Sequence, residues 1–249
     1  MEYQIIFILC FLVTVLLMKL LSMKATHHPH YQFFYNTPLL SPLSLKHNVK
    51  NSSQVLIKIL MKLFIQTFFV FFCYVGIKDF FYTYELSNST KAYILAPFVY
   101  LMTEYIGTIA QTLMCFSSEV PKNLHHAPYL AKNITEFWGK RWNQWVRDWI
   151  MSLSRMNIGS GKKRAYLLAF FYSGIFHEVM FNVPYFIYKK QSYFGTMLLF
   201  FIIQFSGVLI DRNLLYQKSK LIRWIFMWII VIGPIPLFIN KPFLLFFKF

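Results

Sequence analysis

Residues 165–188 read AYLLAFFYSGIFHEVMFNVPYFIY, an apolar run interrupted midway by His177 and Glu178 and by no other charged side chain. A helix needs about 20 predominantly apolar residues to cross the hydrocarbon of a bilayer, so this stretch is long enough to span. Working outward from it, five further segments qualify: residues 4–21, 60–77, 92–116, 193–210 and 221–239. Composition agrees. Of 249 residues, 57% are hydrophobic, 20% aromatic and 14% charged, where a soluble domain carries about 25% charged residues. The expected fold is all-α, a polytopic transmembrane helical bundle of about six spans. No polar linker divides it, so residues 1–249 read as a single domain.

The ends of the segments carry further expectations. Glu2 stands where a signal peptide would have a basic region, and no small-residue cleavage site follows. The first segment is therefore expected to stay as an anchor. Gly233, Pro234 and Pro236 should bend or break the last one, and Phe243 to Phe249 is apolar but too short to cross. The net charge is +16, from 25 basic and 9 acidic residues. In a soluble chain that would suit nucleic acid. Here the basic residues lie between the apolar runs, so membrane lipid, not nucleic acid, is the expected partner. With the N-terminus lumenal, 19 of the 25 fall on the cytosolic side, as the positive-inside rule requires. That orientation puts the Asn88-Ser89-Thr90 sequon in the lumen and two others in the cytosol. Lys58 and Lys62, one turn apart at a helix end, are expected to snorkel. Cys10, Cys73 and Cys115 read as small buried hydrophobes. His27, His28 and His30 have no acidic or Cys neighbour, and a solvated or headgroup-facing loop is preferred to a metal site.

Chemistry concentrates in two places. An ionisable side chain at mid-bilayer costs about 2.5–3.5 kcal/mol even on a lenient insertion scale, so His177 and Glu178 should face a cavity or a partner. Histidine suits proton transfer near neutral pH, and Ser173, one turn earlier on the same face, is placed to orient the ring. The plainer reading is a histidine that only hydrogen-bonds a neighbouring helix. The second place is residues 136–149, EFWGKRWNQWVRDW, where four of the six tryptophans alternate with cations. Too charged to cross, this stretch is expected to form an interfacial amphipathic helix, with Trp145 and Trp149 as aromatic anchors. Glu104, Thr108 and Gln111 share one face of their segment. They line a tunnel or, more commonly, lock helices together, as does the isolated Gln204.

Together, Phe137-Trp138-Gly139-Lys140-Arg141-Trp142-Asn143 and Ser173-Gly174-Ile175-Phe176-His177-Glu178 resemble the membrane-bound O-acyltransferase family. More narrowly they resemble its wax synthase branch, which carries F-W-G-R/K-R-W-N upstream of S-G-x-x-H-E. His177 follows Asn143 by 34 residues, which fits the family, as does Pro128. The likeness covers residues 128–180, about a fifth of the chain. It implies that family's fold, His177 as the catalytic histidine and Asn143 as a second active-site polar residue. It also implies acyl-CoA as co-substrate, with no other cofactor and no metal. Phe137, Trp138, Lys140, Arg141 and Trp142 fall in the stretch that contributes to acyl-CoA binding, with Ser173 and Glu178 beside it. Sterol and diacylglycerol acyltransferases write the first motif F-Y-x-D-W-W-N. Lys140 here replaces the aspartate and Arg141 the first tryptophan, which favours the wax synthase branch. The acceptor is then a lipophilic alcohol, a fatty alcohol or a sterol, at the endoplasmic reticulum. Typical members are longer, so a compact enzyme, a partner-dependent one and an inactive homologue all stay open.

On this reading His177 takes the alcohol proton as the oxygen attacks the thioester, a role typically worth about 10²–10⁴-fold. The Asn143 amide donates to the oxyanion or to the acceptor. CoA is polyanionic, and Lys140, Arg141, Arg147, Arg155, Lys162, Lys163 and Arg164 lie on its expected cytosolic side. A rival class is a transporter with His177, Glu178 and Glu104 as a proton path. It predicts paired broken helices, and only residues 233–236 look broken.

Overall fold

The computed structural model describes residues 2–23, 53–114, 123–147 and 162–249, which form helices and turns without strands. Three long helices come first: α1 (Glu2–Met23), α2 (Ser53–Thr83) and α3 (Asn88–Met114). Next, α4 (Lys162–His177) runs through a π turn at Glu178–Asn182 into α5 (Val183–Lys189). The remainder is α6 (Thr196–Asn213), α7 (Lys220–Ile232), α8 (Ile235–Phe238) and α9 (Lys241–Phe247). Four stretches are each long and apolar enough to cross a membrane: α2, α3, α6 and α7 with α8. The 22-residue α1 and the α4–α5 stretch, which is helical through its π turn, are the remaining segments that the hydropathy pattern marked. The chain is an integral membrane protein.

The break between α7 and α8 follows from proline chemistry. Pro234 has no N–H to give Ile230 O, four residues earlier, and a bare carbonyl inside a bilayer must find another donor. Gln204 Nε2 of α6 supplies it at 2.7 Å. The Gly233 carbonyl, also outside the helical ladder, accepts from Tyr93 of α3 at 2.9 Å.

Contacts define two ends of the bundle. At one end Asp211, at the foot of α6, is gripped by Arg223 of α7 through Nε (2.8 Å) and Nη2 (3.0 Å). Thr135 donates to the same carboxylate at 2.7 Å, and Arg212 lies over the Tyr166 ring of α4. At the other end Asn240 donates to Thr196 (2.8 Å) and to Asn182 (3.2 Å). Between these ends α4 and α6 approach closely: a Cβ on Gly174 would lie 3.0 Å from Leu198 Cα. Glycine lets the two backbones meet. On the other flank α1 packs its Phe7 against Phe181 and Phe246, and Tyr3 donates to Pro242 O at 2.9 Å.

Two expectations are corrected here. Lys62 does not snorkel, because Glu104 of α3 lies 2.7 Å from its Nζ and a carboxylate within reach is a better partner than distant headgroups. The tryptophan-rich run is not one amphipathic helix. A single turn at Ile134–Glu136 passes into a π turn at Phe137–Arg141, and the chain then reverses at Asn143, whose φ is 35°. As a result Trp145 is only 5% exposed and packs on Ala110 and Leu124, so it is tied to α3 and is no headgroup anchor. Trp149, Cys115 and the three N-terminal histidines lie outside the described residues; Cys10 and Cys73, expected to be buried, are half-buried and in no disulfide among the described residues.

Candidate active site

The first motif is shaped by its own polar residues. Asn133 caps the short turn by accepting from Glu136 N at 2.8 Å. Glu136 then accepts from Lys132 N (3.0 Å) and from Arg141 Nε (2.7 Å). Burial pushes the Glu136 carboxyl up, but this amide and guanidinium outweigh it and hold it below the usual carboxylate range. Arg141 also donates to the carbonyls of His126 (3.1 Å) and Ala127 (3.2 Å). Its guanidinium therefore holds the turn together. Trp138 Nε1 donates to Gln204 Oε1 at 3.2 Å, the same amide that satisfies Ile230 O.

Asn143 stands just after this turn. Its left-handed backbone suits asparagine better than most side chains. Its Oδ1 accepts from Val146 N at 3.2 Å, and since only the oxygen can accept, the NH₂ end is the one left to donate elsewhere.

His177 closes α4. Its Nδ1 lies 2.7 Å from Ser173 O. A carbonyl can only accept, so Nδ1 carries the hydrogen and Nε2 of the neutral ring keeps its lone pair. The main chain of Ser173 thus orients the ring, where the sequence pointed to its side chain. Phe201 and Phe238 pack against the imidazole, with centroids 5.0 and 4.9 Å away.

His177 and Asn143 line one cavity of about 640 Å³, with Phe137, Trp138, Trp142 and Ser173 also in its wall. The rest of the lining is largely apolar and comes from α3, α4, α6, α7 and α8. Arg147 is the one described member of the basic group expected on the cytosolic side that reaches it. Lys140 is exposed and Arg141 is engaged as above, so the structure puts neither in the cavity wall. Glu178, grouped above with the acyl-CoA-binding residues, is turned away as well. Its Oε1 accepts from Leu198 N (3.0 Å) and its Oε2 from Asn182 Nδ2 (2.6 Å). Adjacent helical residues point about 100° apart, so one of the pair faces the cavity and the other fastens the π turn to α6. Glu104 pairs with Lys62 and His125, and Gln111 with Asn123. The polar face of α3 is a lock. Several wall residues carried no signal in the sequence, among them Tyr93, Tyr100, Trp228 and Phe238. In a chain with 29 phenylalanines and 16 tyrosines, a cavity aromatic looks like one that faces lipid.

Residues 121–203, which hold both motifs, match the membrane bound O-acyl transferase family. That match covers a third of the chain, and within it the chain is similar to that family. A probable long-chain-alcohol O-fatty-acyltransferase of Arabidopsis thaliana, number 9 of its series, is 32% identical over 108 residues, 39% of this chain and 30% of that protein. Number 7 of the same series is 26% identical over 153 residues, 56% of this chain and 43% of that protein. Diacylglycerol O-acyltransferase 1 of Corylus americana is 30% identical over 103 residues, 40% of this chain and 19% of the relative. The matched part thus spans less than half the length of each of these O-acyltransferase relatives. No solved structure matches the chain significantly.

Proposed function

We propose that this protein transfers a long-chain acyl group from acyl-CoA to the hydroxyl of a lipophilic alcohol, a fatty alcohol or a sterol, in the endoplasmic reticulum membrane. The observation that carries the reading is the meeting of His177 and Asn143, from separate elements, in one apolar cavity. His177 Nε2 takes the acceptor's proton while the alcohol oxygen attacks the thioester carbonyl carbon. The Asn143 Nδ2 group donates to the oxygen that gains charge. The C–S bond then breaks, the ester forms, and the proton passes from His177 to the departing CoA thiolate. The thioester supplies the driving force, so no further cofactor enters the scheme. The apolar wall excludes water, which would otherwise compete with the alcohol as nucleophile.

Identity to a diacylglycerol acyltransferase supports a second reading, the same chemistry on a glycerolipid acceptor. One assay separates the two. Membranes carrying the protein are given labelled acyl-CoA with a fatty alcohol, a sterol or diacylglycerol, and the product ester is identified. Wild type is expected to form wax or steryl ester, and His177→Ala about 10²–10⁴-fold less. Equal product from both would remove His177 from the reaction, and no ester from wild type with any acceptor would mean an inactive homologue.

A further inference from the structure

Three ionisable side chains with no part in the proposed reaction meet behind the cavity wall. Glu104 of α3 accepts from Lys62 of α2 on one oxygen (2.7 Å) and lies 3.0 Å from His125 Nδ1 on the other. His125 is 3% exposed, and its Nε2 is buried without a hydrogen-bond partner among the described residues. Its ring packs on Trp142, centroid to centroid 4.6 Å, and on Tyr100 at 5.3 Å. Both of those rings line the cavity. Main-chain bonds on either side of His125 join it to the motif: His126 N donates to Arg141 O and Gln144 N to Leu124 O, each at 2.8 Å. Residues 124–126 therefore bracket 141–144, the stretch that contains Asn143 and its left-handed φ.

Such an arrangement is poorly explained by stability. An unpartnered buried nitrogen costs free energy, and an ion pair drawn from water is commonly no better than apolar packing of the same volume. Direction is what it supplies. An imidazole that donates to a carboxylate fixed by two membrane helices has one orientation, and its ring then sets the plane of Trp142, the residue before Asn143. We propose that His125, held by Glu104 and Lys62, is the positioning residue for Asn143. Its kinetic readout rests on the function proposed above; its structural readout does not.

Two variants divide the side chain's roles. His125→Asn keeps a donor near the Nδ1 position and removes the ring, and His125→Phe keeps a ring and removes the donor. Each is expected to lower kcat for ester formation about tenfold to a hundredfold through misplacement of Asn143, with KM for acyl-CoA within about twofold. In an Asn143→Ala background neither should lower kcat further, because the group being positioned is gone. Additive losses in the double variants, or wild-type kcat in both singles, would overturn the proposal. Glu104→Gln, which preserves shape, should show a smaller loss with the same non-additivity and serves where the His125 variants do not accumulate. If wild type forms no ester, the functional reading fails and this one is still tested. In 5-fluorotryptophan-labelled protein the ¹⁹F resonance of Trp142, assigned with Trp142→Phe, should shift or broaden in both His125 variants. An unmoved resonance would overturn it.

Discussion

Asn143 satisfies two demands with one side chain. Its carbonyl oxygen caps the turn that follows, and its amide nitrogen remains to donate toward the cavity that the residue lines. Asn143→Asp retains the acceptor and tolerates the left-handed φ, but has no NH₂ to donate. We expect ester turnover to fall about 10²–10³-fold with thermal stability close to wild type. Asn143→Ala should lose a similar amount of activity and, in addition, about 1 kcal/mol of stability with its cap. Turnover and melting temperature, measured on both variants, separate the two demands; equal stability in the two would remove the capping role. The motifs singled out His177 and Asn143, and both line the one cavity described above. What holds them was not legible, because the orienting group is the Ser173 carbonyl, and every residue has a carbonyl. Glu178 was readable as a carboxylate in need of a partner, but which partners, Leu198 and Asn182, depends on where α6 begins.

Helices were the most readable elements, since hydropathy marks a span wherever the solvent is hydrocarbon. Each of the six expected segments overlaps a helical stretch among the described residues, though residues 193–195 precede their helix and 233–234 break theirs, and α2 extends well past its expected ends, over 31 residues. Both π turns were invisible. One precedes Asn143 and the other follows His177, and a widened turn has the same composition as a regular one. The tryptophan run misled for a related reason: its cation and aromatic pattern fits a surface helix, but one left-handed residue folds it inward. Close packing at this scale is open to test. Gly174→Ala would place a methyl against the Leu198 backbone, one turn from His177. It should destabilise the protein by roughly 1–3 kcal/mol, the usual cost of overpacking, and lower turnover as α4 and α6 separate. Gly139→Ala has nothing within 4 Å of the new methyl and should leave melting temperature unchanged. A melting temperature for Gly174→Ala equal to that of Gly139→Ala would contradict this account of the α4–α6 contact.

For the whole molecule, one carboxylate ties the motif to two spans. Asp211 is fully buried and holds Thr135, two residues before the motif, and Arg223 of α7 together. Breaking a fully buried ion pair costs about 3–5 kcal/mol. Arg223 keeps 23% of its side-chain exposure, so water recovers part of that loss and the lower end is expected for Asp211→Ala. Thermal unfolding in detergent would show it, and a melting temperature equal to wild type would sink the idea. No spacing rule predicts this node, because Thr135 and Asp211 are 76 residues apart and meet only once the bundle is assembled. The proline break has its own long reach. Were Pro234 an alanine, its new N–H would reclaim Ile230 O and straighten the last span, releasing the Gln204 amide that now serves both that carbonyl and the Trp138 indole. Mending the ladder would loosen the amide that holds a ring of the cavity wall. Pro234→Ala should then fold at least as readily as wild type yet turn over more slowly, a repaired hinge that spoils the machine it was part of.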